Sequence, residues 1–555
     1  MQTDWDYIVV GSGSAGAAVA SRLSEDGKTQ VLLLEAGRKD TSIIYKVPIL
    51  GPMIGLKDKN SDWGFKTEAD PSRQGRIDHW PRGKVLGGSS SINGTIYVRG
   101  NRGDYDHWRQ LGNVGWSYHD MVPVFKRLER NEDGASDVYG KNGAVVVSET
   151  RGPHPLTKVF VEAVSEVTGC PPNPDYNGEV QVGASVAHVT QKNGWRYSTS
   201  RAYLAPARHR ANLKIVTHAE VARVVFEGKV AVGVEARIDG ELRVLRARRE
   251  VLLSAGSINS PKLLMLSGIG DPAKLGQFGI PVVHANPWVG RNLQEHPAFQ
   301  VKALVNVKTS NMESNVAGYI KNAAWFLLRG GGPASHVLPG ISFVKSRPEL
   351  EYPDLEIQFV AFGYDTTEEG LKLLDRPAIT LQPNVNRSRS RGRLELRQVA
   401  GSARAPTHHA RRSLRPRGAG GRRQDIAADP AQPRLCALSR RRVPARRFRP
   451  DRRAMGGLRA AMDDAGAPSL RDVQDGRGRP GSGRSAAAGR RRRPAPRDRL
   501  GDHSADHERQ HQCHLDRDRR EGCADGEGGC ALNKRGWEDR NVQRSVSSEG
   551  SGGGR

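Results

Sequence analysis

The chain has 555 residues and a formal net charge of +26. Cut at residue 400 it becomes two unlike pieces: residues 401–555 hold 35 Arg and one Lys against 19 Asp plus Glu, a net +17, which leaves +9 for residues 1–400. Only Cys170 of the five cysteines lies in the first piece, which excludes a disulfide framework there, and no run approaches the roughly 18 apolar residues of a spanning helix.

The start, Met1-Gln2-Thr3-Asp4, has neither a basic nor an apolar signal region, which points to the cytoplasm. Peripheral contact with the inner membrane is left open. A basic tail ordinarily suggests nucleic acid or a membrane surface. These arginines lack repeats and interleaved aromatics, so no nucleic acid is expected. Cys523 and Cys530 have no second pair at zinc spacing, and no metal is expected. The first piece is long enough for two domains built into one another.

Tyr7-Ile8-Val9-Val10 is a continuous apolar run, suited to a strand buried on both faces. It leads into Gly11-Ser12-Gly13-Ser14-Ala15-Gly16 and then a helical pattern through Ala17, Ala20 and Leu23. A second apolar run, Val31–Leu34, ends in Glu35 and Ala36. Strand, glycine turn, helix, strand and acid in this order predict a dinucleotide site. Gly11 makes the tight turn, Gly13 lets the backbone approach a pyrophosphate, and Gly16 lets the helix pack close. The helix N-terminus faces the phosphates, and Glu35 accepts from ribose hydroxyls. Val221–Val224 reads as a strand.

Three longer segments follow in order. Trp80-Pro81-Arg82-Gly83-Lys84-Val85-Leu86-Gly87-Gly88-Ser89-Ser90-Ser91-Ile92-Asn93-Gly94 resembles the flavin-attachment-loop signature of the glucose–methanol–choline oxidoreductases. Ser254–Gly270 is similar to that family's second signature, and Val289–Pro297 resembles a third segment. The resemblance covers about residues 5–397. It implies an α/β chain, α+β overall: a doubly wound, Rossmann-like FAD-binding domain interleaved with an antiparallel-sheet substrate domain. The expected division is 1–155 and 221–304 for the FAD domain, and 156–220 and 305–397 for the substrate domain.

The resemblance also implies which residues touch FAD: Gly11, Ser12, Gly13, Ser14, Ala15, Gly16, Glu35, Ala36, Val85, Gly87, Gly88, Asn93, Gly94, Val221, Ala255 and Gly256. Val221 is preferred to Val224 at the adenine. Gly87-Gly88 permits close approach to a flat ring, and the Ser89–Asn93 turn can hydrogen-bond its polar edge. Members with covalent FAD use a histidine in this loop. The matching position is Ile92, so noncovalent FAD is expected. His296 should lie beside the flavin in a structural role. Leu355–Val360 and Ala378–Pro383 read as strands of the substrate domain, and Ser390–Leu396 as a turn into a further strand.

The activity implied is oxidation of a primary alcohol, choline-like or aliphatic, by hydride transfer to flavin N5. Electrons would go to a quinone or other non-NAD acceptor. The family's chemistry, however, sits near its C-terminus, in a histidine before a Thr-Cys-Arg-Met-Gly type segment and in a Ser-Gly-Asn-Thr-Asn-Ala type segment. Neither occurs here. Codons built from the last two bases of one residue and the first of the next permit both. Asp472–Gly476 permits the first, with the histidine under Pro468, and Glu508–Cys513 permits the second. Arg404–His409 permits a further family-like run. One reading-frame offset therefore serves all of these segments. The expectation is a frame change between about 397 and 404, no catalytic residue in the translated chain, and a disordered, arginine-rich segment over 398–555. The alternative is a basic nucleic-acid-binding protein carrying a vestigial flavin fold.

Overall fold

The computed structural model describes residues 4–397, apart from 57, 134–136 and 368–369, together with the backbone of the strand Ser413–Pro416. All described residues lie in the compact unit Met1–Gly476. The disorder expected of 398–555 falls, apart from that strand, outside the described residues.

Six strands make the first sheet: β1 (Asp4–Val10), β2 (Val31–Leu34), β3 (Leu213–Val216), β4 (Ala219–Glu227), β5 (Val230–Ile238) and β6 (Glu241–Leu253). Their order is β3-β2-β1-β6-β5-β4. β1 pairs in parallel with β2 and β6, and β3 pairs in parallel with β2. β4, β5 and β6 form an antiparallel run at the other side.

Burial explains the unbroken apolar runs. Ile8 and Val10 share one core with Leu32 and Leu34. Val9 points the other way with Val31 and Leu33, against Ala17 and Ala20 of helix α1 (Ser14–Leu23). Because both faces are covered, alternate residues are equally apolar. Each fully buried side chain of this size contributes roughly 1.5–3 kcal/mol, so a charge at Val9 or Leu33 would disrupt the sheet. Helix α2 (Gly256–Leu266) packs on β4, with Leu263 joining the core of Ala219 and Val221.

The second sheet is antiparallel throughout, in the order Val301–Leu304, Ala378–Val385, Leu355–Val360, Gly340–Val344, Gly183–Val186. The helix Leu156–Thr168 packs on it, and Phe160 stacks on Phe359 with ring centroids 5.1 Å apart.

Sheet membership departs from the expected division at two places. Leu213–Val216, assigned with 156–220 to the substrate domain, completes the first sheet beside β2. Val301–Leu304, ahead of the expected start at 305, pairs into the second sheet. Four-residue runs such as Leu-Lys-Ile-Val carry no information about their partner; the open edge of β2 decides it.

The arginine-rich part also supplies one described strand. Ser413–Pro416 pairs antiparallel with Gly392–Glu395, inside the segment Ser390–Leu396 read as a turn into a strand. Ladder bonds join backbone groups, so an open edge accepts extended chain of many sequences. Among the described residues no helix is long and apolar enough to cross a membrane.

Candidate functional site

The parallel strands of the first sheet end together at Val10, Leu34, Val216 and Leu253. A cavity of about 510 Å³ opens at this carboxyl edge, a size typical of ligand sites. Of the residues expected to bind cofactor, Gly11, Ser12, Gly13, Ser14, Ala15, Glu35, Ala36, Gly88, Val221, Ala255 and Gly256 line it.

The glycine turn has separable jobs. Gly11 has φ +95°, and a Cβ there would lie 2.7 Å from the Ser254 carbonyl oxygen. A Cβ on Gly16 would lie 1.9 Å from the Gly11 oxygen, so this glycine sets helix against turn and does not face the cavity. A Cβ on Gly13 would meet nothing within 4 Å: it would enter open space. Gly13 caps α1 without a side-chain bond, leaving the first backbone N–H groups of that helix free for an anion.

Glu35 does more than face a ligand. Its Oε2 accepts from the Ser12 backbone N–H (3.0 Å) and from the Ser12 hydroxyl (2.6 Å). Its Oε1 accepts from the Gly37 N–H at 2.8 Å. The carboxylate therefore ties the end of β2 to the turn after β1. It is only 5% exposed. Burial pushes its carboxyl above the usual range, outweighing those hydrogen bonds and the nearby Lys84 charge.

The second glycine turn docks on the first. The Gly87 N–H donates to the Ser12 carbonyl at 3.1 Å. Gly87 and Gly88 have φ of +86° and +53°. Gly88 leads into a short 3₁₀ turn, Gly88–Ser91, pinned from within: the Ser91 hydroxyl donates to Leu86 O and the Ser90 hydroxyl to Gly87 O.

Several expected contacts are not in the lining. Val85 is fully buried in a small core with Tyr45 and Ile92, because its side chain points behind the turn. Gly87, Asn93 and Gly94 are also outside the lining, although Asn93 is exposed. Asn93 Oδ1 is occupied, accepting from the Thr95 N–H and from Arg196. Val224 is outside the lining; its N–H donates to the Ser267 hydroxyl. His296 is exposed and does not line the cavity. Its segment is tied in next door, where Glu295 pairs with Arg82 at 3.2 Å, and Arg82 does line it.

Trp63, Phe65 and Lys262 line the cavity without having been anticipated as contacts. Trp63 stacks on Phe65 and carries Lys84 4.5 Å above its ring. No spacing in the sequence marks this pair. The only local cue is the short hairpin that pairs Phe65–Lys66 with His79–Trp80.

These residues fit a dinucleotide. The cavity offers free helix N–H groups, two glycine turns, an acid at the end of β2 and an apolar wall. A Cβ on Gly256, like one on Gly13, would enter open space.

The comparisons agree with this geometry. A family profile described as GMC oxidoreductase matches residues 5–298. The oxygen-dependent choline dehydrogenase of Brucella anthropi is 41% identical over 398 residues, 71% of this chain and 71% of that protein. The protein of the same name from Vibrio vulnificus is 40% identical over 402 residues, again 71% of each chain. The solved structure of pyridoxine 4-oxidase from Mesorbium loti is similar with a TM-score of 0.64 and 26% identity, over 74% of this chain and 76% of that one. On the sheet order, the paired glycine turns and these matches, the chain belongs to the GMC oxidoreductase family.

Proposed function

We propose that this chain descends from a choline dehydrogenase-like enzyme that uses noncovalent FAD to oxidise a primary alcohol, choline-like or aliphatic, to the aldehyde. The observation that carries the cofactor reading is the meeting of two glycine turns beside a cavity at the carboxyl edge of a parallel sheet. In this reading FAD supplies the hydride acceptor at flavin N5 and hands electrons to a quinone or other non-NAD acceptor.

The protein's own part is binding and orientation. Ser12, Gly13 and the start of α1 take the pyrophosphate, and Glu35 and Ala36 lie at the ribose. Val221 lies at the adenine, with Ala255 and Gly256 along the opposite wall. Gly88 gives the ring close approach, and the turn Ser89–Asn93 hydrogen-bonds its polar edge. Ile92 supports noncovalent binding, because it is apolar, 1% exposed, and packed on Tyr45 and Val85.

The translated chain is inactive in this reading. Abstraction of the alcohol proton needs a base, and the family's histidine lies under Pro468 in the other frame. The match of 398 residues, 71% of the chain, has the length of the well-formed part, which is consistent with a change of frame near residue 400. Trp288 and Phe299, 71% and 60% exposed, are large apolar side chains of the kind a further segment covers.

The test is titration of the full chain with FAD, followed by flavin fluorescence and by competition with NAD. Saturable 1:1 binding that NAD does not displace is expected. No binding, or equal displacement by NAD, would sink the cofactor reading.

A further inference from the structure

Arg196 is 0% exposed and sits directly behind the second glycine turn. Its Nη1 donates to Ser90 O (3.1 Å) and Asn93 Oδ1 (2.8 Å). Its Nη2 donates to Asn93 O (2.6 Å) and Pro48 O (2.9 Å). One planar fork thus grips both ends of the segment Ser90–Asn93 and anchors it to the loop before Gly51. There is no slack: a Cβ on Gly51 would lie 2.5 Å from Nη2.

The partners are the unusual part. All four acceptors are neutral, Nε has no hydrogen-bond partner, and among the described residues no carboxylate forms an ion pair with this guanidinium. Among the described residues Arg99 is also deeply buried, and it meets Glu129 at 2.6 Å. Burying a charge without a counter-ion costs several kcal/mol. A neutral glutamine could hold part of this turn at less cost. The loss of hydration lowers the proton affinity of Arg196 to about 9, which still leaves it charged at neutral pH. A fixed, uncompensated cation bonded to the carbonyl of Ser90, next in sequence to the cavity-lining Ser89, attracts an anion in that cavity.

We propose that Arg196 is a positioning residue for the cofactor, holding the turn Gly88–Gly94 in shape and favouring a negatively charged flavin ring over a neutral one. This rests on the FAD reading above. A flavin ring gains negative charge on reduction at neutral pH, so the charge of Arg196 acts selectively on the reduced form. The guanidinium touches the turn and acts through it, not on the alcohol.

The experiment uses the full chain and the variants Arg196→Gln and Arg196→Lys. It measures anaerobic dissociation constants for oxidised FAD and for dithionite-reduced FAD, and hydrogen exchange over residues 88–94. Wild type should bind the reduced form more tightly than the oxidised one. Arg196→Gln should weaken reduced FAD about tenfold more than oxidised FAD, the scale of one charge pair at protein-like screening. Arg196→Lys should weaken both forms but keep their ratio, since it keeps the charge and loses the fork. Exchange over 88–94 should rise in both variants, with residues 4–23 unchanged. Equal weakening of the two forms in Arg196→Gln, unchanged exchange over 88–94, or a wild type that does not prefer reduced FAD would each overturn the proposal. If Arg196→Gln does not fold, the wild-type preference and the lysine variant decide. A wild type that binds no FAD in either form refutes the cofactor reading instead, and the exchange measurement then still decides the clamp.

Discussion

The backbone of Gly88 rests against that of Gly13: a Cβ on Gly88 would lie 2.8 Å from the Gly13 Cα. The two turns are 75 residues apart in the chain, yet a side chain on Gly88 would collide with the first turn. Their contact fixes the position of one turn against the other at the edge of the cavity.

The glycines of this region should therefore separate by assay. Gly16→Ala places a Cβ 1.9 Å from a backbone oxygen, and overpacking of this kind costs about 1–3 kcal/mol. Denaturant unfolding should show that loss. Gly13→Ala meets no protein atom, so its stability should stay within roughly 0.5 kcal/mol of wild type. Its FAD affinity should drop, as read by flavin fluorescence. A Gly13→Ala chain with unaltered affinity would place the pyrophosphate elsewhere.

Bound flavin should leave with acid. Ile92 occupies the loop position where attachment would occur, and it is buried among Tyr45 and Val85 with no nucleophilic atom. Acid precipitation and centrifugation should put all the yellow colour in the supernatant. Flavin in the washed pellet would contradict noncovalent binding.

His336 should make the fold acid-sensitive. It is buried behind the same region: the Ser335 carbonyl accepts from Gln191 Nε2, which also donates to the Thr95 hydroxyl. Burial pushes the imidazole down to about 4 from 6.5, although a hydrogen bond with the Gly152 backbone opposes this. A depressed folded-state value means that the unfolded chain takes up the proton first. The neutral form thus supports folding fully above about pH 6.5, and that support is lost as pH falls toward 4. The loss is at most roughly 3 kcal/mol. In urea titrations wild type should lose stability across this window more steeply than His336→Leu. Parallel slopes would show that His336 does not carry the effect.

Correcting the reading frame near residue 400 should restore alcohol oxidation. A missing catalytic base alone costs on the order of 10²–10⁴-fold in rate. Dye reduction with choline and with medium-chain alcohols, compared between the two versions, measures it. Comparable rates from both would remove the frame-change argument.

Local spacing determined much of this protein. Tyr7–Val10, the glycines at 11, 13 and 16, and Val31–Glu35 form one continuous unit whose turn geometry depends on backbone freedom and apolar period alone, and all of it was legible. So were the strand Leu355–Val360 and, as far as Pro383, the strand Ala378–Val385, whose apolar pattern matches a buried sheet. Tertiary structure decided the rest, because it concerned pairs distant in the chain. Leu213–Val216 found its place only at the open edge of β2. Trp63 and Phe65 entered the cavity wall through a hairpin with His79–Trp80. Val85, read as a cofactor contact, turned inward once Tyr45 was there to receive it, and Arg196 took the Asn93 side-chain oxygen. Arg196 itself carries no local signal: it lies 103 residues from Asn93, and a buried charge is recognised only when the fold shows what surrounds it.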